Sequence, residues 1–170
     1  MTSTGPEPDW RIVPLDAEVD LDELGRVHVQ VWREAYAGHM PADYLAGLSV
    51  EERARLWRSA ASDADTAART LVAHDADGQI VGFISSGPSR DEDAPTEWEL
   101  YAVNLLERVH GSGLADELMT RALGDRPATL WVLEDNARAQ AFYRRHGFEP
   151  EGARTAHEAT QAPEIRMIRR

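Results

Sequence analysis

A glycine-rich turn between a predicted strand and a predicted helix is the segment of this chain best suited to bind an anion. It covers residues 110–115, with the sequence His-Gly-Ser-Gly-Leu-Ala. The first N–H groups of a helix lack intrahelical partners, and the helix dipole favours negative charge there. Because glycine lets a ligand approach the backbone closely, the turn predicts a pyrophosphate site. The same spacing also occurs where a helix merely packs on its strand, and the turn alone does not separate the two alternatives.

Other kinds of site are excluded or left without a signal. The turn lacks the G-x-G-x-x-G spacing of dinucleotide folds and the Gly-Lys-Ser/Thr of nucleotide P-loops. The chain has no cysteine, which excludes disulfides, thiolate nucleophiles and cysteine-ligated zinc. His74, His146 and His157 show no metal-ligand spacing, so no metal is predicted.

Charge and composition limit the classes of partner that the chain is expected to bind. Thirty acidic residues stand against 18 basic ones, a formal net charge of −12, so nucleic-acid binding through basic patches is not expected. An acidic surface attracts small cations, although solubility alone also explains it. No apolar stretch reaches the ~20 residues of a membrane span, and Met1–Asp9, expected to be flexible, has no signal-peptide pattern. We therefore expect a cytoplasmic protein with no membrane partner.

Hydrophobic periodicity and turn residues predict one α/β domain over residues 1–170. The predicted order is a strand, three helices, three strands, a helix, a strand, a helix and two strands, which is a mixed sheet and not a repeating βαβ fold. Predicted strands cover residues 11–15, 71–74, 80–85, 97–106, 129–133, 148–150 and 164–168. Predicted helices start near Leu24 and Pro41 and cover 51–59, 114–123 and 136–146, and loops cover 86–96 and 152–163.

Two motifs in this order resemble the GNAT superfamily of N-acetyltransferases, in its bacterial form. The family signature, Gln or Arg, two residues, Gly, one residue, then Gly or Ala, falls on His110, Gly113 and Ala115. A second block runs from Asn136 through Ala-Phe-Tyr at 141–143 to Gly-Phe at 147–148. Segments 31–36 and 48–53 are also typical, and the resemblance extends from Ile12 to Ile168. His110 departs from the usual Gln or Arg, which affects cofactor affinity more than cofactor identity.

The resemblance implies a GNAT-like fold with acetyl-CoA as co-substrate. Its central mixed sheet has about six or seven strands flanked by helices and is splayed between the central strand and the next. The pantetheine arm of the cofactor pairs with backbone exposed in that gap. The implied cofactor-binding residues are Val103, Asn104 and Leu105 on the strand, His110, Gly111, Ser112, Gly113, Leu114, Ala115 and Asp116 at the turn, and Asn136 and Tyr143 on the following helix.

The implied reaction is direct attack of a primary amine on the thioester. A protonated amine must first lose a proton, and Glu99 matches the position from which several family members present a general base, directly or through water. Glu97, two residues earlier on the same face, is the reserve; both also fit solvated strand-edge residues. Tyr143 matches the family tyrosine that protonates the leaving sulfur, with a core aromatic as the alternative. Asn136 lies seven positions earlier, on the same helical face, and caps the helix.

The acceptor is predicted from charge to be a small cationic amine, with Trp32 and Tyr36 as candidates for the pocket floor. A protein N-terminal or lysine amine is the alternative acceptor, and a non-catalytic acyl-CoA sensor is the alternative function. The helices up to Ala60 and the loop at 152–163 are expected to shape the pocket, and neither has a recognisable motif. Homodimers are common in the family, but no dimer signature is present in this sequence.

Overall fold

The computed structural model describes residues 9–16 and 18–170. The expected flexible segment, residues 1–9, lies outside the described residues except for Asp9. The strands are β1 (Trp10–Pro14), β2 (Thr70–Asp75), β3 (Ile80–Pro88), β4 (Trp98–Leu105), β5 (Ala128–Leu133), β6 (Glu149–Ala156) and β7 (Pro163–Arg169). The helices are α1 (Leu21–Ala35), α2 (Ala42–Ala46), α3 (Val50–Ser62), α4 (Ala64–Arg69), α5 (Leu114–Leu123) and α6 (Ala137–Arg145), with a 3-10 turn at Glu107–Val109.

The strands form one seven-stranded mixed sheet in the order β1-β2-β3-β4-β5-β7-β6. Strands β1 to β4 are an antiparallel meander, β4 and β5 are parallel, and β7 lies antiparallel between β5 and β6. This confirms the predicted α/β class, the order of the seven strands and the splay between the central strand and the next. No helix among the described residues is long and apolar enough to cross a membrane.

Each face of the sheet carries its own core, so the molecule has three layers. On one face, Leu114 and Leu118 of α5 pack with Phe148 and Met167. On the other, the stripe of α1 that begins at Leu24 packs with Trp57 of α3 and Phe83 of β3. Because helices cover both faces, the middle strands are buried on both sides. A ligand can therefore reach the sheet only where strands separate or end.

The second half of the sheet contains the main errors of the sequence prediction. The strand predicted at 148–150 is β6, which continues to Ala156, so most of the predicted loop at 152–163 is strand or tight turn. Strand β6 is an edge strand with mostly exposed residues and an irregular register between Pro150 and Arg154. An exposed edge needs no alternating apolar pattern, which is why its sequence does not resemble a strand.

Two further boundaries differ from the prediction. Strand β3 runs on to Pro88, because backbone pairing with β4 continues past an irregularity at Ser85/Ser86 despite the Gly-Pro composition. Helix α4 was not predicted; it begins after Asp63, whose carboxylate accepts the Thr66 N–H. Strand β4 begins at Trp98, one residue after Glu97, and Glu97 is therefore outside the strand on which it was expected.

Candidate active site

The gap between β4 and β5 is the central feature of the site. Their only register pair in the described sheet is Glu99 with Thr129, and beyond it the strands diverge. A cavity of about 410 Å³ occupies the divergence. It is lined from β4, β5, α1, α6 and the β6–β7 end of the sheet, including Val103, Asn104, Trp131, Val132, Leu133, Asn136, Tyr143, Thr155, His157 and Glu164. A parallel pair that opens in this way exposes backbone groups inside the molecule, where a ligand can pair with them.

A second hollow of about 540 Å³ lies between α1 and α2 and is not a catalytic site. Arg33 is the one ionisable side chain among its described lining residues, and its guanidinium donates to the carbonyls of Leu45, Ala46 and Leu48. The described lining residues of this hollow include no acid, general base or nucleophile, so none of them could act in catalysis.

The exposed backbone of β4 follows from its register with β3. The Leu106 N–H donates to the Val81 carbonyl at 2.9 Å, and residues of an antiparallel strand alternate between its two edges. The N–H and C=O groups of Asn104 therefore face β3, whereas those of Val103 and Leu105 face the gap toward β5. Val103 and Asn104 line the cavity; Leu105 is buried beside it.

The glycine turn is built for an anion by its backbone. Gly111 and Gly113 have φ values of +75° and +93°, which only glycine adopts without strain, and a Cβ at either would meet nothing within 4 Å. Helix α5 begins at Leu114 with no side-chain cap hydrogen bond at Gly113. Within the described part of the chain, the N–H groups of Gly111, Gly113 and Ala115 have no hydrogen-bond partner. Amides without a partner at a helix N-terminus can bind an anion.

Side chains at the turn bind the protein itself. Arg138 of α6 donates to His110 Nδ1 at 2.6 Å, so this nitrogen accepts, and Nε2–H donates to the Leu105 carbonyl at 3.0 Å. His110 thus closes the end of β4 and joins the turn to α6. Asp116, unexpected beside phosphates, contacts His146 at 2.8 Å and Arg145 at 3.6 Å.

Helix α6 places Asn136 and Tyr143 on the cavity wall. Asn136 Oδ1 accepts the Ala139 N–H at 3.1 Å, so it caps the helix as expected while still lining the cavity. Burial, and secondarily Tyr36, raises the pKa of the Tyr143 hydroxyl well above its usual value. The hydroxyl therefore stays protonated at neutral pH and can donate. Phe142 packs against the core beside it, with ring centroids 5.5 Å apart.

Glu99 faces the cavity but is held by an ion pair. Its side chain is 2% exposed, and Arg90 donates to it from the backbone N–H (3.0 Å), Nε (3.3 Å) and Nη2 (2.5 Å). The Arg90 guanidinium also lies 4.3 Å from the Tyr101 ring centroid. Both carboxylate oxygens of Glu99 are therefore occupied. Glu97 is exposed and does not line the cavity.

An almost fully buried arginine anchors the segment that carries Arg90. Arg166 of β7 contacts Glu151 (2.6 Å), Asp93 (3.0 Å) and Asp91 (3.3 Å). Asp91 also accepts the Trp131 indole N–H at 2.8 Å. Hydrogen bonds and ion pairs raise the pKa of Arg166 above its usual value, so its charge is permanent. The β3–β4 connection is thereby fixed across β5 and β7 and holds Arg90 at the cavity mouth.

The part of the cavity around Trp32, Tyr36, His157 and Glu164 is named the acceptor pocket after the role proposed for it below. Trp32 and Tyr36 pack edge to face at 4.9 Å, and His157 lies 5.9 Å from Trp32. The Arg53 guanidinium is 5.3 Å from the Trp32 ring centroid, so one ring is already next to a cation. Burial, followed by the charge of Glu164, raises the pKa of Tyr36.

Sequence reasoning missed many of the residues that line the cavity, among them Arg90, Trp131, His157 and Glu164. These four come from a predicted loop, from the interior of a strand, and from the two sides of the β6–β7 turn. No motif or spacing connects them. Only the sheet order, which inserts β7 beside β5, brings them together.

The chain is similar to known proteins in both sequence and fold. Residues 30–148 match the Acetyltransferase (GNAT) family. The chain belongs to this family. It is therefore an N-acetyltransferase, and two bacterial relatives agree. It is 32% identical over 136 residues to the uncharacterized N-acetyltransferase YuaI of Bacillus subtilis, covering 76% of this chain and 75% of that protein. It is also 32% identical over 142 residues to the uncharacterized N-acetyltransferase Mb2688 of Mycobacterium bovis, covering 80% and 87%.

Among solved structures, the GNAT fold recurs at lower identity. The crystal structure of PaiA N-acetyltransferase from Thermoplasma acidophilum in complex with coenzyme A superposes with a TM-score of 0.69 at 22% identity, covering 95% of this chain and 98% of that one. The chain's glycine turn and its opened β4–β5 pair thus belong to a fold that holds coenzyme A in that structure.

Proposed function

We propose that this acetyltransferase transfers the acetyl group of acetyl-CoA to the primary amine of a small cationic molecule by direct attack. The observation that carries the proposal is one cavity that joins exposed backbone of β4, a hydroxyl donor at Tyr143 and buried carboxylates. Each group has a separate task in acyl transfer, and all open onto the same 410 Å³ space.

The cofactor would lie along the gap from the glycine turn to Tyr143. Unpartnered amides at Gly111, Gly113 and Ala115 fit a pyrophosphate, and the edge groups of Val103 with the N–H of Leu105 fit the amides of a pantetheine arm. When bound, acetyl-CoA supplies the activated acetyl group. The relative in complex with coenzyme A supports this assignment by fold.

Tyr143 acts as the general acid in this proposal. Its buried hydroxyl keeps its proton at neutral pH because the pKa is raised. A thiol has an ordinary pKa of about 8.5, so donation to the departing sulfur helps the bond break and opposes the reverse reaction. Tyr143 then regains a proton from the nitrogen that has bonded to carbon, which restores the resting enzyme.

The first proton of the acceptor ammonium needs a carboxylate, and two line the cavity. Glu99, the predicted base, is held by three hydrogen bonds from Arg90. Glu164 of β7 has no ion pair among the described residues. Either group can take the proton directly or through water, and the prediction for Glu99 is tested by the Glu99→Gln variant below.

A small acceptor is favoured over a peptide by the walls of the pocket. Its lining comes from helix α1, from the turn at His157 and from the segment that carries Arg90. An extended peptide requires an open groove, whereas a compact amine fits an enclosed pocket. Aminoglycosides, polyamines and amino-acid derivatives all meet this description.

Two measurements test the proposal. Calorimetry should detect CoA binding, and thiol release from acetyl-CoA should be stimulated by at least one small amine in a panel that also contains short peptides. Release confined to peptides would favour the protein N-terminal or lysine acetyltransferase. CoA binding without release for any acceptor would favour the non-catalytic sensor, and the absence of CoA binding would refute the proposal.

A further inference from the structure

The two carboxylates that line the cavity differ in what holds them. Glu99 has both oxygens bound by Arg90, and its side chain is 2% exposed. Glu164 is half-buried, and no side-chain hydrogen bond or ion pair reaches it from any described residue. Because Glu164 lines the cavity with no partner among the described residues, its carboxylate is available to a ligand, whereas that of Glu99 is engaged by Arg90.

The position of Glu164 in the sheet places it on the wall of the cavity. In β7 it lies opposite Leu133 of β5 and Thr155 of β6, at the end of the sheet where β5 has already separated from β4. Leu133 and Thr155 line the same cavity as Glu164. The charge of Glu164 acts on the Tyr36 hydroxyl, and Tyr36 in turn acts on Tyr143. Glu164, Tyr36 and Tyr143 therefore line one cavity, and Tyr36 lies close enough to both of the others to interact with them.

The groups around Glu164 act on its pKa in opposite directions. Burial raises its pKa, while His157 at the β6–β7 turn and Arg90 of the β3–β4 connection oppose the shift. Neighbouring acids are paired elsewhere: Glu134 with Arg154 at 2.6 Å and Asp135 with His39 at 3.1 Å. Tyr36 of α1 is uncharged.

We propose that Glu164, rather than Glu99, binds the ammonium group of the acceptor and accepts its first proton. The inference rests on the proposed function. The ammonium gives one proton to the Glu164 carboxylate, and the free amine forms the nitrogen–carbon bond to the acetyl carbon. The carbon–sulfur bond breaks, and the sulfur takes the Tyr143 proton. Tyr143 is reprotonated by the second proton from nitrogen, and Glu164 releases its proton to solvent. Glu99 fixes Arg90 at the cavity mouth and is a positioning residue.

The test compares Glu164→Gln, Glu164→Asp and Glu99→Gln by pH–rate profile. Glu164→Gln should lower kcat/KM about 10²-fold near pH 7, and the deficit should shrink as rising pH supplies free amine. Glu164→Asp should restore part of the rate, and CoA affinity should stay within about twofold. Glu99→Gln should lower the rate by a similar factor at every pH. Glu158→Gln, an exposed charge outside the cavity, is the matched control and should match wild type.

A second measurement does not depend on finding the acceptor. A carboxyl whose pKa is raised by folding contributes stability below its unfolded pKa and loses it as pH rises through the folded pKa. Wild type should therefore be less stable than Glu164→Gln at pH 7, and the difference should close as pH falls toward 4.5. A difference that does not vary with pH overturns the proposal, as does an alkaline recovery seen in Glu99→Gln and absent in Glu164→Gln. Wild-type CoA binding with no thiol release would instead refute the proposed function.

Discussion

The two ends of the β4–β5 gap offer a ligand different kinds of group, which in the proposed function bind the cofactor and the acceptor. At the glycine turn the available groups are backbone amides, and the side chains of His110 and Asp116 are bound to α6 and its C-cap. At the other end the available groups are side chains: Tyr143 of α6, and Tyr36 and Glu164 of the acceptor pocket. Backbone recognition depends on conformation and tolerates side-chain change, whereas side-chain recognition depends on individual functional groups. Mutations should therefore separate the two ends into binding and turnover.

The largest effect is expected at the acceptor end. Tyr143→Phe should lower kcat by about 10²–10⁴-fold, because the proton donor is removed while the ring still fills its site. CoA affinity should change less than about twofold. Single-turnover kinetics and calorimetry measure the two quantities. An equal loss of CoA affinity would place Tyr143 in cofactor binding and remove the contrast between the ends.

Acid should weaken the wall of the acceptor pocket specifically. His28 lies one turn before Trp32 on α1, against Phe83 and Trp57, and burial, with Arg53, lowers its pKa to about 3. Its neutral form is stabilised only in the folded state, so stability falls as pH drops from its unfolded pKa of about 6.5 toward 3. Between pH 6.5 and 5 the unfolded chain binds up to one proton more than the folded protein. The free energy of unfolding therefore falls by about 2 kcal/mol over this interval.

Urea unfolding at the two pH values measures this loss. The His28→Phe variant, which keeps an aromatic ring and cannot titrate, should lose about 2 kcal/mol less than wild type over that interval. An equal pH dependence in both proteins would show that His28 is protonated in the folded state.

A smaller effect is expected from adding a methyl group at the turn. Gly113→Ala should reduce CoA affinity about tenfold, since the Cβ occupies the space above the amides and φ of +93° is strained. The left-handed conformation should also cost about 1–2 kcal/mol of stability. Gly78→Ala is the matched control: its φ is +81°, its Cβ also meets nothing, and it lies in the β2–β3 hairpin. It should show the stability loss with unchanged CoA affinity.

The smallest effect is expected at His110. His110→Ala should weaken CoA binding by less than about fivefold, because the backbone donors stay in place and only the contacts to Arg138 and the Leu105 carbonyl are lost. Calorimetry measures it. A loss as large as that of Gly113→Ala would mean that the imidazole holds the turn in its binding conformation, and side chains would then matter at both ends.

The same contrast explains what the sequence could predict. The glycine turn and α6 were predictable because their residues are consecutive and local rules govern them: positive φ at Gly111 and Gly113 and a capping Asn136. Helix α5 was predicted with its observed bounds, since its apolar stripe has a clear helical period.

The acceptor pocket was not predictable beyond Trp32 and Tyr36. Glu164 and His157 reach it because β7 is inserted between β5 and β6, a long-range pairing that no local pattern encodes. Glu99 lines the cavity and its role as the base stays a prediction, whereas its partner Arg90 comes from a segment that composition describes only as a loop. Glu99 and Arg90 are brought together only by the tertiary structure. Their ion pair leaves Glu164 as the cavity carboxylate without a partner among the described residues.

The opening between β4 and β5 has a consequence for hydrogen exchange. Amides at the centre of a seven-stranded sheet are ordinarily the most protected of a protein. Val103 and Leu105 lie in the central strand, yet their N–H groups face the gap and not a neighbouring strand. Without ligand they should exchange with solvent like the amides of an edge strand, faster than that of Asn104 between them, and a ligand in the gap should slow them. The centre of this sheet therefore contains an edge of β4 that a ligand in the gap would pair with.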